Sequence, residues 1–208
     1  RLDSSGTIIN QAVRKAPESE QDNNTRFSLN FDKQFHGNSE HRLTFDFQTE
    51  ESSEDEQAII YNNGIVSERV KTIEQQKRTQ IQSDFTLPLQ NEGAFELGYN
   101  GRFIRNNTDY SLEFFDDNTF VLDTNVSNTL EYKEDVNALY AQYGAQLRSK
   151  LTFLLGLRME STAIEIYQYN TNDRQNKDYL GLFPTINIGY KISEVQSITL
   201  GYNRRISR

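Results

Sequence analysis

Residues 26–49, RFSLNFDKQFHGNSEHRLTFDFQT, contain the pattern that decides the fold of this chain. Apolar side chains alternate with polar ones both before and after a short polar interruption: Phe27, Leu29 and Phe31, then Leu43, Phe45 and Phe47. Alternation with a period of two is typical of a β-strand with one apolar and one polar face. The interruption at residues 36–39 contains Gly37, a residue suited to a tight turn. This stretch therefore predicts an antiparallel hairpin.

The same alternation recurs along the chain and predicts eight strands. They cover residues 26–32, 41–49, 78–89, 94–105, 135–147, 151–164, 179–192 and 196–208. A tilted strand needs about 9–11 residues to cross a bilayer, whereas ordinary strands have about five or six. Most of the predicted strands are therefore long enough to span a membrane.

The connections between these strands alternate between short and long. The short ones are residues 36–39, 90–93, 148–150 and 193–195, and the long acidic or Asn-rich ones are residues 50–76, 106–134 and 165–178. Consecutive antiparallel strands reverse direction, so all short turns lie on one side and all long loops on the other. This asymmetry is typical of outer-membrane β-barrels, which have short periplasmic turns and long extracellular loops. The predicted fold is an all-β, antiparallel transmembrane barrel segment of about eight long strands, with a further hairpin above the membrane at Asp117-Asn118.

Composition agrees with this fold. Hydrophobic residues make up only 35% of the chain and aromatic residues 12%, which suits a barrel because only alternate residues of its membrane band face lipid. Six aromatic residues near strand ends are predicted to form interfacial girdles, although strands favour aromatic residues in any case: Phe35, Tyr132, Tyr167, Tyr169, Tyr179 and Tyr190.

Several functional classes are disfavoured. The net charge of −8 argues against nucleic-acid binding, and the absence of Cys excludes disulfides and thiolate metal sites. The acidic run at residues 50–56 lacks the spacing and Gly of a calcium loop and is interpreted as a solvated loop. His36 and His41 flank a turn, have no third metal ligand and are interpreted as solvent-facing turn residues. We find no catalytic motif and expect no enzymatic activity and no cofactor.

The C-terminal hairpin carries a family resemblance. Residues 179–192 read YLGLFPTINIGYKI and residues 196–208 read QSITLGYNRRISR. This resembles the outer-membrane β-barrel region of TonB-dependent receptors of the Bacteroidetes type, with Thr185 in place of the family's usual Ser. The resemblance extends loosely over residues 26–208. It implies a 22-stranded barrel with an N-terminal plug and a TonB box, neither visible here, that imports iron chelates, cobalamin or glycans across the bacterial outer membrane with energy from a TonB partner.

Four charged residues are candidates for the barrel lumen: Arg102, Arg158, Glu160 and Arg205. Arg205 shares its predicted face with Thr199, Gly201 and Asn203, so it should point inward. There it could pair with a plug carboxylate or a ligand anion. The alternative is a lumenal salt bridge with a neighbour such as Glu160, and we favour it because barrel interiors accept polar residues readily.

We expect residues 1–25 to be a polar loop or a cut strand end, and residues 26–208 to be a fragment of a larger barrel. Two alternatives remain. One is a small, complete eight-stranded barrel with a structural or adhesive role. The other is a secreted, soluble β-protein that binds glycans, in which a second sheet would cover one face of the first.

Overall fold

The chain forms a single antiparallel sheet in a computed structural model that describes residues 12–35, 37–89, 93–147 and 149–205. Its strands are β1 (Arg14–Lys15), β2 (Glu18–Phe35), β3 (Asn38–Asn62), β4 (Ile65–Leu89), β5 (Gly93–Asp116), β6 (Thr119–Leu122), β7 (Asn128–Leu147), β8 (Leu151–Gln168), β9 (Asp173–Ser193) and β10 (Gln196–Asn203). In the described ranges, no helix is long and apolar enough to cross a membrane. The all-β prediction is confirmed, and each predicted strand corresponds to one of the eight long strands.

The eight long strands form a meander in which each strand pairs with the next one along the chain. Each of the two short strands pairs with the end of a long strand that extends beyond a neighbouring long strand. β1 pairs with the end of β3 (Arg14 opposite Asn62), beyond β2, and β6 pairs with the end of β5 (Thr119 opposite Asp116), beyond β7. Among the described residues, β2 and β10 do not pair with each other, so the sheet is open.

The long connections are themselves largely β-hairpins. β3 and β4 have 25 residues each and meet at a turn formed by Asn63 and Gly64, whose φ angles are 53° and 86°. About 10 residues of a tilted strand suffice to cross a bilayer, so about 15 residues of each strand, roughly 50 Å of strand length, would lie beyond a membrane that the sheet crosses. Asp117 and Asn118, with φ angles of 44° and 63°, form the predicted tip between β5 and β6.

The acidic run at residues 50–56, expected to be a solvated loop, lies within β3. Backbone pairing on both sides explains this difference, because β2 and β4 provide a partner for every residue of the run and ion pairs only supplement that pairing. The pairs are Arg26–Glu50 at 2.9 Å, Lys77–Glu51 at 2.6 Å and Lys71–Asp55 at 3.1 Å.

The N-terminal segment also differs from expectation. β2 begins at Glu18 rather than after residue 25, and Glu18 pairs with Ala58 in a register that continues without interruption through Thr25 opposite Glu51. The polar residues 18–25 are thus held as a strand by the long β3, which provides a partner for each of them. Residues 1–11 lie outside the described residues.

Register divides the sheet into two faces. One row across six strands runs Phe45, Ser83, Tyr99, Leu139, Met159, Leu182, and residues in one row share a face. We call this side the apolar face; it includes Phe27, Leu29, Phe31, Phe47, Ile81, Phe85, Leu97, Leu155, Leu157, Ile186, Ile188, Ile198 and Leu200. Leu139 is 52% exposed and Leu182 50%, because no second sheet covers this face in the described part of the chain. The second sheet that the soluble alternative requires is not present among the described residues.

The opposite side, which we call the polar face, contains the most enclosed part of the sheet. Five residues with exposures of 8% or less cluster on the polar face of β7 and β8: Glu134, Val136, Ala138, Glu160 and Thr162. Two of these five are carboxylates. The most buried cluster of this sheet therefore contains charged side chains and lies on its polar face.

Candidate lumenal site

The polar face holds a cavity of about 520 Å³, which we call the arginine cavity. Its lining comes from β5, β8, β9 and the end of β10: Arg102, Arg158, Glu160, Phe183, Thr185, Asn203, Arg204 and Arg205. All four residues selected from the sequence are present, although they lie far apart in the chain. Alternation put each of them on the polar face, and the register of five neighbouring strands brings them together.

Small residues leave the space for this cavity. One row of the polar face runs Asn100, Ala138, Glu160, Gly181, so the carboxylate of Glu160 stands between two residues with little or no side chain. Val136 and Thr162 occupy the next row beside Arg102. Long charged side chains therefore project over a floor of small residues.

Arg158 and Glu160 form the centre of a polar network. Both Nη2 and Nε of Arg158 donate to Oε2 of Glu160, at 2.8 and 3.2 Å. The guanidinium carbon also lies 5.7 Å from the centre of the Tyr140 ring, within the range of a cation–π contact. The Tyr140 hydroxyl donates to Asp84 on β4. These contacts link β4, β7 and β8 and fix the orientation of the Arg158 guanidinium.

Arg102 is held by a second carboxylate. Its Nη2 donates to Oε1 of Glu134 at 3.0 Å, and the Tyr132 hydroxyl donates to Oε2 of the same carboxylate, also at 3.0 Å. The Nε–H of Arg102 is buried and has no hydrogen-bond partner among the described residues. This donor is therefore available to an acceptor that enters the cavity.

The girdle prediction is wrong for Tyr132 and Tyr179, which lie on the polar face. Tyr132 is an odd number of residues from Leu139, and Tyr179 an odd number from Leu182, so each falls on the side opposite its apolar neighbour. Tyr167 and Tyr190 do lie on the apolar side. Closeness to a strand end was the wrong criterion, because alternation alone determines the face.

Arg205 differs from Arg102 and Arg158, each of which pairs with a carboxylate. The expected salt bridge to Glu160 is not observed, because Arg158 binds that carboxylate. Across residues 12–35, 37–89, 93–147 and 149–205, no acidic side chain pairs with Arg205. The cavity lining holds four Arg and one Glu, a formal charge of +3 in a chain whose net charge is −8.

A neighbouring cavity of about 350 Å³ shares Arg158, Phe183 and Thr185 with the arginine cavity. Side-chain amides line it from Gln82, Asn100 and Gln142. Sequence reasoning did not single out these amides, nor Tyr140, although the same alternation that selected Arg158 puts them on its face. Together the two cavities form a continuous surface with cationic and amide donors.

Acidic residues dominate the polar face further out, on the long β3–β4 hairpin and on the part of β2 that pairs with it. Glu20, Asp22 and Glu54 have carboxylate oxygens within 4.8 Å of one another. The negative charges of Asp22 and Glu54 raise the pKa of Glu20, and hydrogen bonding with Glu18 raises the pKa of Glu56. The polar face thus changes from acidic on the distal hairpin to basic in the arginine cavity.

His41 lies within an aromatic cluster at the opposite end of β3. Its ring stacks on Phe35, with 4.6 Å between centroids, and meets Phe85 edge-on at 5.6 Å. It is therefore a packed strand residue rather than the solvent-facing turn residue expected from the sequence. His36 lies outside the described residues.

Comparison with known proteins identifies relatives of this architecture. The family described as the outer membrane protein beta-barrel family matches residues 11–208. No curated protein matches the chain.

Three similar solved structures are all larger than this chain. The ferric citrate transporter FecA in its unliganded form has 14% identity and a TM-score of 0.55, over 85% of this chain and 26% of FecA. The ferric yersiniabactin uptake receptor FyuA from Yersinia pestis has 15% identity and a TM-score of 0.45, over 74% of this chain and 26% of FyuA. The alcaligin outer membrane receptor FauA from Bordetella pertussis has 11% identity and a TM-score of 0.48, over 95% of this chain and 33% of FauA. The chain thus spans between a quarter and a third of these proteins.

Proposed function

Because the chain belongs to the outer membrane protein β-barrel family, we propose that it forms part of the wall of a TonB-dependent receptor in the bacterial outer membrane. In this proposal the apolar face contacts lipid and the polar face lines the transport pathway. The long hairpins extend from the outer surface, and the short turns face the periplasm. Transport, rather than catalysis, is the proposed activity.

The division of the sheet into an exposed apolar face and a polar face with a cationic cavity is the observation that carries this proposal. Leu139 and Leu182 remain half exposed on one side, while Arg102, Arg158 and Arg205 converge on the other. A barrel wall requires both properties at once. Likeness to FecA supports the fold. Further strands would pair with β2 and β10 to close the barrel.

We further propose that the arginine cavity binds a carboxylate or another anionic group. The charge of +3, the free Nε–H of Arg102 and the absence of an ion pair at Arg205 among the described residues support this role. Arginine binds carboxylates strongly because its donors form charge-assisted, often bidentate hydrogen bonds. The anion belongs either to an imported ligand, of the iron-chelate, cobalamin or glycan class, or to a plug domain that fills the lumen.

Uptake measurements on cells that express the full-length protein test this function. The probes are radiolabelled ferric citrate, a ferric hydroxamate, cyanocobalamin and a maltodextrin, each with and without a functional TonB protein. We expect TonB-dependent accumulation of one probe. If every transported probe accumulates equally with and without TonB, this result would contradict the proposed receptor class.

Substitutions in the cavity test the anion site separately. Arg205→Gln and Arg102→Gln should each reduce uptake of the transported probe severalfold. Arg174→Gln is a matched control, because Arg174 lies opposite Tyr167 on the other face of the sheet. If the ligand supplies the anion, binding of the probe to purified receptor weakens in the cavity variants. If a plug supplies it, ligand binding is retained while the plug becomes more accessible to protease.

A further inference from the structure

A second large cavity lies on the opposite side of the sheet from the arginine cavity. Its volume is about 720 Å³, and we call it the outer cleft. Its lining residues come from β2, β3, β4, β5 and β7: Asn23, Thr25, Glu51, Ser52, Ser53, Gln75, Gln76, Lys77, Arg105, Asn106, Asn107, Glu131, Tyr132 and Lys133. Ten of these fourteen residues have odd numbers, as do Phe47, Ile81 and Leu139, and so belong to the apolar side of the sheet. The outer cleft therefore faces the surroundings of the barrel and not its lumen.

The outer cleft lies directly beyond the apolar band. The apolar run of β5 on this side ends at Phe103, and Arg105 follows two residues later, about 7 Å further along the strand. Arg105 occupies one row with Lys77 on β4 and Lys133 on β7. Three cations on adjacent strands thus stand at the level where acyl chains give way to lipid headgroups.

The cations of the outer cleft are held in exposed ion pairs. The lining contains three cations and two carboxylates, Glu51 and Glu131, and two further carboxylates, Asp135 and Glu165, pair with its cations from outside the lining. Each cation has a carboxylate neighbour: Lys77–Glu51 at 2.6 Å, Arg105–Asp135 at 2.5 Å and Lys133–Glu165 at 3.1 Å. The side chains of these pairs are 31–62% exposed, and exposed ion pairs contribute little stability. A phosphate group can therefore share or replace these carboxylates.

Uncharged polar groups complete the lining. Asn23, Thr25, Ser53, Gln75 and Asn107 offer hydroxyl and amide groups beside the cations. The side-chain oxygen of Asn107 is buried and has no hydrogen-bond partner among the described residues. Sugar hydroxyls both donate and accept hydrogen bonds, so they match this mixed set of groups and supply the donor that Asn107 lacks.

We propose that the outer cleft binds the phosphorylated sugar headgroup of a glycolipid in the outer leaflet of the membrane. The acyl chains lie against the apolar band near Phe103 and Leu139, the phosphate contacts Lys77, Arg105 and Lys133, and the sugar rings contact the neutral polar side chains. Continuity of the cleft with the apolar band selects a lipid over a soluble anion. This inference rests only on the membrane orientation proposed above and not on the transported ligand.

Binding of lipid A, a diphosphorylated glucosamine disaccharide lipid, tests the proposal. Full-length protein in detergent micelles is titrated with lipid A, with its fully dephosphorylated form and with phosphatidylglycerol, and bound lipid is measured by native mass spectrometry. We expect lipid A to bind at least tenfold more tightly than either other lipid. The triple variant Lys77→Gln, Arg105→Gln, Lys133→Gln should lose most of this preference.

Matched variants separate the outer cleft from general surface charge. Lys71→Gln removes a cation from β4 that lies on the same side of the sheet but outside the cleft, where it pairs with Asp55 at 3.1 Å. It should leave lipid A binding unchanged. The single substitution Lys77→Gln, which removes one exposed pair, provides a second test should the triple variant not fold. Equal lipid A binding by wild type and folded cleft variants, or equal affinity for phosphatidylglycerol, would overturn the proposal. Neither result depends on uptake activity.

Discussion

Arg102 and Glu134 form an ion pair between neighbouring strands β5 and β7, with 3.0 Å between Nη2 and Oε1. The two partners differ in exposure: the side chain of Arg102 is 38% exposed and that of Glu134 only 10%. The pair therefore consists of an enclosed carboxylate and a guanidinium that reaches into the arginine cavity. This asymmetry predicts unequal effects when either partner is replaced.

Arg102→Gln should destabilise the folded protein by about 1–2 kcal/mol, because the enclosed carboxylate of Glu134 loses its charged partner. The hydroxyl of Tyr132 still donates to it at 3.0 Å, which limits the loss. Glu134→Gln should destabilise the folded protein less, because water can solvate the exposed part of the Arg102 side chain. Urea titration of the full-length protein in lipid vesicles, followed by electrophoretic mobility, measures both. A larger loss for Glu134→Gln would contradict the assigned asymmetry.

Gly98→Ala should destabilise the protein by about 1–3 kcal/mol, the range for overpacking. A Cβ at Gly98 would overlap the ring of Tyr140, and moving that ring would break the hydrogen bond to Asp84. Gly156→Ala is the control, because its nearest contact would be an ordinary 3.4 Å from the Cβ of Gln142. Adding Tyr140→Ala to Gly98→Ala should remove the steric penalty. Unfolding midpoints in urea report each step, and equal midpoints for the two glycine variants would show that the Tyr140 ring does not require Gly98.

Alternation alone sufficed to predict the strands and the face of every candidate site residue. Arg102, Arg158, Glu160 and Arg205 share the polar face because each is out of phase with its apolar neighbours, and counting residues reveals this. The same count, had it been applied to Tyr132, would have excluded it from the apolar side.

Features that depend on register could not be predicted in this way. The strand at residues 50–56 looked like a loop because its pairing partners on β2 and β4 are 16 or more residues away in the chain. The outer cleft depends on the alignment of five strands. Local pattern therefore determined the elements and their faces, while long-range pairing determined how far the strands extend and which side chains meet.

Acidification should affect the distal parts of β2 and β5 in opposite directions. The pKa of Glu20 is raised by Asp22 and Glu54, so its folded form binds a proton more readily than the unfolded chain does. Its contribution to stability is fully present below the ordinary glutamate value of 4.5 and is lost as pH rises through the raised pKa. The pKa of Glu113 is lowered by its hydrogen bond with Arg69. Its contribution is present above 4.5 and is lost as pH falls through the lowered pKa.

Amide hydrogen exchange as a function of pH, corrected for the intrinsic exchange rate, measures this contrast. Protection near Glu20 on β2 should increase as pH falls from 7 toward 4.5, and protection near Glu113 on β5 should decrease below 4.5. Glu20→Gln should flatten the first response without changing the second. Parallel responses at both positions would mean that a global effect, and not these local charges, controls the hairpins.

Leu139→Arg should prevent much of the protein from inserting into membranes. Leu139 lies on the apolar face and is 52% exposed, between Tyr99 on β5 and Met159 on β8. An arginine on the lipid-facing side near the middle of the bilayer costs about 2–4 kcal/mol.

Gln142→Arg is the matched control, because Gln142 lies three residues away on the same strand but lines a cavity on the polar face. It should insert nearly as well as wild type, since a lumenal cation remains hydrated. The folded fraction in vesicles, read from heat-modifiable gel mobility, distinguishes the two variants. Equal folding of both would mean that the face carrying Leu139 does not contact lipid, which would remove the basis for the proposed orientation of the sheet.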